Sequence, residues 1–66
     1  MNGKRIGEKL VALRGERTQA EVATAVGIST SALAMYETGH RIPRDEIKLK
    51  LAVFYSTTVQ VLFFED

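Results

Sequence analysis

Few side chains of this chain could take part in covalent or metal chemistry. His40 is the only histidine among 66 residues, and there is no cysteine. No arrangement of nucleophile and base in the sequence indicates a catalytic site, and one histidine without thiolates does not provide a metal site of the usual kind. The sequence therefore predicts no enzyme, no metal or other cofactor, and no small-molecule ligand.

The segment from Thr18 to Gly39 is suited instead to non-covalent recognition through short side chains. This run contains no lysine or arginine, and its only charges are those of Glu21 and Glu37. It is rich in hydroxyls and small apolar groups, which make single hydrogen bonds and apolar contacts. Positive charge lies before it, since residues 1–17 carry five basic and two acidic side chains. The net charge of the chain is only +1, so total charge does not by itself indicate a nucleic-acid partner.

The spacing of apolar residues indicates how these side chains are positioned. It predicts four helices, over residues 4–14, 19–26, 30–38 and 45–55. Gly15, Gly27 and Gly39 follow the first three helices and could end them, Gly15 and Gly27 in the left-handed conformation. Thr18 and Glu21 have the spacing of a capping box at the start of the second helix.

The segment after residue 55 is open to two interpretations. Its β-branched and aromatic residues suit a strand, whereas Thr58 as an N-cap, with Val59 and Leu62 turned inward, suits a short helix. We favour the helix because an isolated strand would have no partner with which to pair. The predicted fold is therefore all-α, with one domain over residues 1–66 built as a compact bundle of five short helices.

The second and third predicted helices have the spacing of a helix-turn-helix unit, in which two short helices are joined by a tight turn that contains glycine. Ala23 is small enough for the point where the helices cross, and Gly27 can adopt the left-handed conformation that the turn needs. Ser29 is a good N-cap for the helix that follows. The apolar residues placed to fill the angle between the helices are Val22, Val26, Ile28 and Leu33.

With this unit in place, the chain resembles the phage-repressor-like regulators of Cro/CI type, a family of helix-turn-helix DNA-binding proteins. The residues that carry the resemblance are Leu13, Arg14, Thr18, Gln19, Val22, Ala23, Gly27, Ile28, Ser29, Tyr36, Glu37, Gly39 and Pro43, and further on Val59 and Leu62. One departure is the connection from Arg14 to Gln19, which is shorter than in many members. The resemblance implies a lambda-repressor-like fold, with the third helix in the major groove of double-stranded DNA and two copies on a symmetric operator.

The base contacts are assigned to the outward positions of the third predicted helix. These are Thr30, Ser31, Ala34, Met35 and Thr38. Met35 is expected to be exposed because Leu33 and Tyr36 already occupy the inward face. None of the five is an arginine for guanine or an asparagine or glutamine for adenine, so each contact should be modest.

Other residues are expected to orient the domain on DNA and to pair its copies. Phosphate contacts are assigned to Arg17, Gln19, Ser29, Arg41 and Arg44. By resemblance, Glu37 pairs with Arg14 and ties the third helix to the first. The excess of apolar side chains in the tail predicts a homodimer interface at Val61, Phe63 and Phe64. The alternative for these three is that they close a small core.

These assignments favour a sequence-specific transcription regulator, in particular a repressor that occupies an operator. Activation of transcription is one alternative, and a protein-interaction role as an antitoxin-like or adaptor subunit is another. The acidic helix-turn-helix and the aromatic tail favour the interaction role. A cytoplasmic location is expected because there is no cysteine, signal peptide or membrane-spanning run.

Overall fold

The chain folds into five consecutive helical segments, with no strand within residues 1–65, the part that this computed structural model describes. The segments are α1 (Gly3–Arg14), α2 (Gln19–Val26), α3 (Thr30–Thr38), α4 (Asp45–Phe54) and α5 (Gln60–Phe64), the last of which is π-helical. The all-α prediction is confirmed, and the tail is helical rather than extended. None of these helices has the length and hydropathy that crossing a membrane requires. Asp66, the last residue of the predicted domain, lies outside the described part.

Hydroxyl groups cap two of the helices where the sequence predicts caps. Ser29 Oγ accepts a hydrogen bond from the Ala32 N–H at 3.0 Å, and α3 begins there. Thr58 Oγ1 accepts from the Val61 N–H at 3.1 Å, ahead of α5. Each hydroxyl satisfies a first-turn N–H that has no partner within its own helix, and this fixes where the helix starts.

α2 begins with the predicted capping box. Thr18 Oγ1 accepts from the Glu21 N–H at 3.0 Å, and a Glu21 carboxylate oxygen accepts from the Thr18 N–H at 3.0 Å. The hydrogen bond from the Thr18 backbone lowers the pKa of Glu21 below its ordinary value. The stability that this carboxylate contributes is therefore present above its ordinary pKa, and it is lost only as the pH falls through the lowered value.

Glycines follow the first three helices, as predicted, but they do not all adopt the same conformation. Gly27 and Gly39 are left-handed, with φ of 86° and 81° and ψ of 34° and 7°. Gly15, after α1, has φ 60° and ψ −129°. The predicted left-handed stop is therefore wrong at Gly15, although its positive φ still favours glycine.

The core lies where the inward faces of all five segments meet. Its apolar members are Ile6, Leu10, Val22, Ala23, Val26, Leu33, Tyr36, Ile47, Leu51, Tyr55, Leu62 and Phe63. Leu13, which the apolar spacing places on the inward face of α1, is exposed and borders a groove between α1 and α5. The apolar side chains that α1 contributes to the core are therefore those of Ile6 and Leu10.

The aromatic tail is divided between the core and the surface. Phe63 is 2% exposed, whereas Val61 and Phe64 are 47% and 54% exposed. The expectation that Phe63 faces a second copy is wrong, because its ring is already buried within its own chain. Phe63 closes the core together with Leu62, while the residues on either side of this pair face solvent.

Lys9 of α1 holds α5 in place. Its Nζ donates to the carbonyl of Val61 at 2.9 Å and also to the carbonyl of Glu65. Carbonyls at the end of a helix have no partner within that helix, and a cation satisfies both their hydrogen bonding and their partial negative charge. The charge of Lys9 therefore serves the packing of the tail.

α1 and α3 approach each other closely at Gly7. A Cβ atom at this position would lie 2.3 Å from the carbonyl oxygen of Glu37 and 2.8 Å from its carbonyl carbon. One turn earlier, a Cβ on Gly3 would lie 3.0 Å from the carbonyl oxygen of Gly39. These neighbours are backbone atoms, which cannot rotate aside as a long side chain can. Glycine at position 7 is therefore required for the two helices to lie this close.

The close approach predicts that Gly7→Ala destabilises the fold. Overpacking of this kind lowers the free energy of unfolding by about 1–3 kcal/mol. In an exposed helix the same change would stabilise by about 0.5–1 kcal/mol, so the sign of the effect is diagnostic. Urea unfolding followed by circular dichroism measures it, with Glu8→Ala on the exposed side of the same turn as the control. A Gly7→Ala protein as stable as the parent would contradict the contact.

Candidate nucleic-acid interface

The turn between α2 and α3 is closed by two hydrogen bonds to one carbonyl. The N–H groups of Gly27 and Ile28 both donate to the carbonyl oxygen of Ala23, each at 2.9 Å. Ala23 itself is 1% exposed, as expected of the small residue where two helices cross. The turn therefore holds α3 against α2 by one side and leaves its other side facing outward.

The outward side of α3 carries no charge. Its accessible side chains are those of Thr30, Ser31, Ala34, Met35 and Thr38, which we call the outer face of α3. Met35 is 43% exposed, as predicted, whereas Leu33, Tyr36 and Glu37 are buried behind it. All five positions assigned to base contacts are accessible, and the contacts themselves stay a prediction.

The three hydroxyls of the outer face are not equally available. Thr38 Oγ1 donates to the carbonyl of Ala34 at 3.0 Å and lies 2.8 Å from His40 Nδ1. The hydroxyls of Thr30 and Ser31 have no hydrogen-bond partner within residues 1–65. Only the two hydroxyls in the first turn of α3 are therefore free to donate to another molecule.

A buried carboxylate joins three helices behind the outer face. Arg14 Nε of α1 donates to Glu37 Oε2 at 2.8 Å, and Gln19 Nε2 of α2 donates to Glu37 Oε1 at 2.8 Å. The Glu37 side chain is 2% exposed and that of Arg14 is 19% exposed. The predicted ion pair is present in the structure. Sequence reasoning missed the contact of Gln19, because only the fold brings its amide to the carboxylate.

The ion pair keeps the charge of Glu37 away from the outer face. Its hydrogen bond to Arg14 raises the pKa of the guanidinium above the ordinary value, so that group stays charged. Arg14 Nη1 also donates to the carbonyl of Arg17 at 2.8 Å, which fixes the guanidinium in the loop after α1. Burial, and then the charge of Glu37, raises the pKa of Tyr55, so this nearby phenol stays neutral. The acid therefore does not oppose an approaching polyanion.

Several groups suited to phosphate precede or follow α3 in the chain and remain available. Ser29 keeps its hydroxyl proton after accepting the cap hydrogen bond, and Gln19 keeps the second proton of its amide. Arg41 and Arg44, in the loop after α3, are exposed and border one hollow. Across residues 1–65, neither guanidinium has a hydrogen-bond or ion-pair partner. Both arginines are thus available to an anion.

A known family profile covers this whole arrangement. The profile of the helix-turn-helix family HTH_3 matches residues 10–62, which include α2, the turn, α3 and α4. The chain belongs to the Cro/CI-type helix-turn-helix family. Searches of curated proteins and of solved structures found no significant match. A helix-turn-helix domain of this family binds DNA, and it points to transcription regulation rather than to catalysis.

Within this helix-turn-helix domain, Arg17 has partners other than the expected phosphate. Its Nη2 donates to the carbonyl of Leu13 at 2.9 Å, and its Nε donates to that of Arg14 at 3.2 Å. The guanidinium also lies 5.1 Å from the ring centre of Phe54 and 5.4 Å from that of Tyr55. A cation is favoured both at a helix C-terminus and over aromatic rings. We therefore leave Arg17 out of the proposed phosphate contacts.

The Arg14–Glu37 ion pair predicts that substitutions of its two members have non-additive effects on the stability of the fold. Arg14→Met and Glu37→Gln should each destabilise the helix-turn-helix domain, because each leaves one charge without its partner. The larger loss is expected for Arg14→Met, since the stranded carboxylate is the more deeply buried group. The double variant has no stranded charge and should be more stable than Arg14→Met. Thermal unfolding of the four proteins completes the cycle, and strictly additive effects would show that the pair has no specific role.

Proposed function

We propose that this domain is a sequence-specific transcription regulator, in particular a repressor, that binds a palindromic operator as a homodimer. The observation that carries the proposal is the accessible, uncharged outer face of α3, set on a helix-turn-helix unit and followed in the chain by two exposed arginines, Arg41 and Arg44. In helix-turn-helix proteins this face of the second helix of the unit lies in the major groove. Repression then follows from occupancy of the operator alone.

Attraction to DNA and choice of sequence are assigned to different groups. Arg41, Arg44, Ser29 and Gln19 contact phosphates, which fixes the register of the domain without identifying bases. The outer face of α3 contacts the base edges. Two arginines per subunit in a dimer give a slope of about −4 for the logarithm of affinity against the logarithm of salt concentration.

A second copy is proposed to bind at the groove between α1 and α5. Leu13 and Val61 line this groove, and Val61 and Phe64 are 47% and 54% exposed. The Phe64 ring is positioned by Lys48, whose Nζ lies 5.5 Å from the ring centre. Exposed apolar side chains in one place are typical of an interface. A domain of this size also gains stability when a partner covers such a surface.

Selection of binding sites from random double-stranded DNA tests the proposed function. A palindrome whose half-sites lie one helical turn apart would support both the operator and the dimer. Binding with no preference over random duplex would sink the sequence-specific regulator. The selected site, placed over a promoter, then separates repression from activation, since occupancy of a repressor site lowers transcription.

Two substitutions separate base contacts from phosphate contacts. Met35→Ala should change the base preference at one position of each half-site. Arg44→Ala should weaken all sequences alike and reduce the salt slope by about one for each subunit. Fluorescence anisotropy on the selected site and its single-base-pair variants measures both effects. If the two variants changed only overall affinity, α3 would not lie in the groove as proposed.

The dimer predicts an effect of Phe64→Glu on association but not on folding. A carboxylate in place of the exposed Phe64 ring should shift the protein to monomer in sedimentation and weaken operator binding. The unfolding temperature of the monomer should change little, because Phe64 is exposed in its own chain. Phe63→Ala is the neighbouring core control, and it should lower the free energy of unfolding by about 3–5 kcal/mol.

A second exposed apolar site supplies the surface control for the dimer. Val53 on α4 is 70% exposed, so Val53→Glu adds the same charge away from the groove. This variant should remain a dimer. If Val53→Glu dissociates the protein and Phe64→Glu does not, the interface lies on α4 instead.

A protein-interaction role is the second candidate function, and the same site on α4 favours it. Leu49 and Val53 are 58% and 70% exposed one turn apart, and together with Ala25 and Phe54 they line a groove. These residues are separate from the outer face of α3, so a partner could bind there whether or not DNA is bound. Co-purification of a partner, together with equal affinity for selected and random DNA, would favour this role over the first.

A further inference from the structure

The outer face of α3 has no side chain for the paired hydrogen bonds that identify purines. Arginine or lysine identifies guanine and asparagine or glutamine identifies adenine, in each case through two hydrogen bonds. None of these four residue types occurs from Thr30 to Thr38. The one acid of the helix, Glu37, is held by Arg14 and Gln19 on the opposite side.

The hydroxyls of this face discriminate weakly. The hydroxyl of Thr38 already has partners within the chain, the carbonyl of Ala34 and His40 Nδ1, which leaves Thr30 and Ser31. Each of these hydroxyls can both donate and accept a single hydrogen bond, so each is compatible with several base edges. They stabilise the complex without strongly selecting a base.

The remaining contacts of the face are apolar. Ala34 and Met35 lie one turn after Thr30 and Ser31, on the same side of the helix. Met35 is 43% exposed, and its unbranched thioether can adjust to a small apolar group. The apolar feature that distinguishes one base pair from another in the major groove is the 5-methyl group of thymine.

We propose that the domain identifies its operator mainly through thymine 5-methyl groups, which Ala34 and Met35 contact, so that each half-site has T·A pairs facing these residues. This rests on the proposed function, since it requires the outer face of α3 to lie in the major groove. A methyl group on C5 of cytosine occupies the same place in the groove. The recognised chemistry is therefore a 5-methylpyrimidine, and thymine is the source in unmodified DNA.

Replacement of thymine by uracil tests this directly, because uracil keeps every hydrogen-bonding group and lacks only the methyl group. Each thymine of the selected operator is replaced in turn, and affinity is measured by fluorescence anisotropy. At one or two positions per half-site we expect about a fourfold loss, the fold-change that corresponds to burial of one methylene-sized group. Replacement of the same sensitive thymine in both half-sites at once removes two methyl groups and should give about a 15-fold loss. Thymines at the other positions are the internal control.

A second arm separates the methyl group from the rest of the base. Exchange of a sensitive T·A pair for C·G should weaken binding, and 5-methylcytosine at that place should recover about fourfold over cytosine. Met35→Ala should remove the uracil effect at one position and leave it at the other. Met35→Gln supplies an amide of similar length, and it should move the preference at that position from thymine to adenine. Circular dichroism checks that both variants fold.

The outcomes distinguish this inference from the proposed function. Equal affinity for uracil at every position, with the sequence preference retained, would overturn recognition of methyl groups and leave the regulator standing. Specificity would then come from DNA shape. Uracil effects of the same size in Met35→Ala would overturn the role given to Met35. No preference for any sequence would overturn the inference and the proposed function together.

Discussion

The contact between α1 and α3 is the constraint on which the rest of the structure depends. α3 has nine residues, too few for a stable helix in isolation, so its orientation comes from packing. At Gly7 the backbones of α1 and α3 leave no room for a side chain. Further along α1, the Arg14–Glu37 pair joins the same two helices. The contact at Gly7 fixes the distance between the two helices, and the ion pair fixes the rotation of α3 about its axis. Contacts on the buried side of α3 therefore determine the direction in which its outer face points.

The same ion pair explains how an acidic segment can belong to a DNA-binding domain. Residues 18–39 have a net charge of −2, but each of the two acids is committed to the fold. The Glu21 carboxylate accepts from the N–H of Thr18, the N-cap of α2, and the Glu37 carboxylate accepts from Arg14 and Gln19. The buried Glu37 is therefore neutralised by Arg14, and the outer face itself carries no charge. The arrangement of charges within the domain therefore allows it to approach DNA, although its net charge of +1 gives little attraction by itself.

Signals that act within a few residues were sufficient to predict most of the fold. The capping box at Thr18, the caps at Ser29 and Thr58, and helix bounds within one residue all follow from local hydrogen bonding. Long-range contacts were not accessible in this way. A glycine inside a helix has the same local pattern whether it is a weak point or, like Gly7, a packing contact. Lys9 bonds a carbonyl 52 residues away, and the helical period does not apply in π-helical α5, which turns Phe63 inward beside Leu62.

Because each contact of the outer face discriminates weakly between bases, dimerisation contributes to sequence specificity as well as to affinity. Phosphate contacts are equal for all sequences, so discrimination depends on a few weak contacts. Two methyl contacts of about 0.8 kcal/mol each give one subunit about a 15-fold preference. Two subunits held at a fixed spacing multiply their preferences, which gives about 225-fold. This product is obtained only if both copies of α3 reach their half-sites together. A rigid interface at Val61 and Phe64 would therefore determine which sequences are bound, although neither residue would touch DNA.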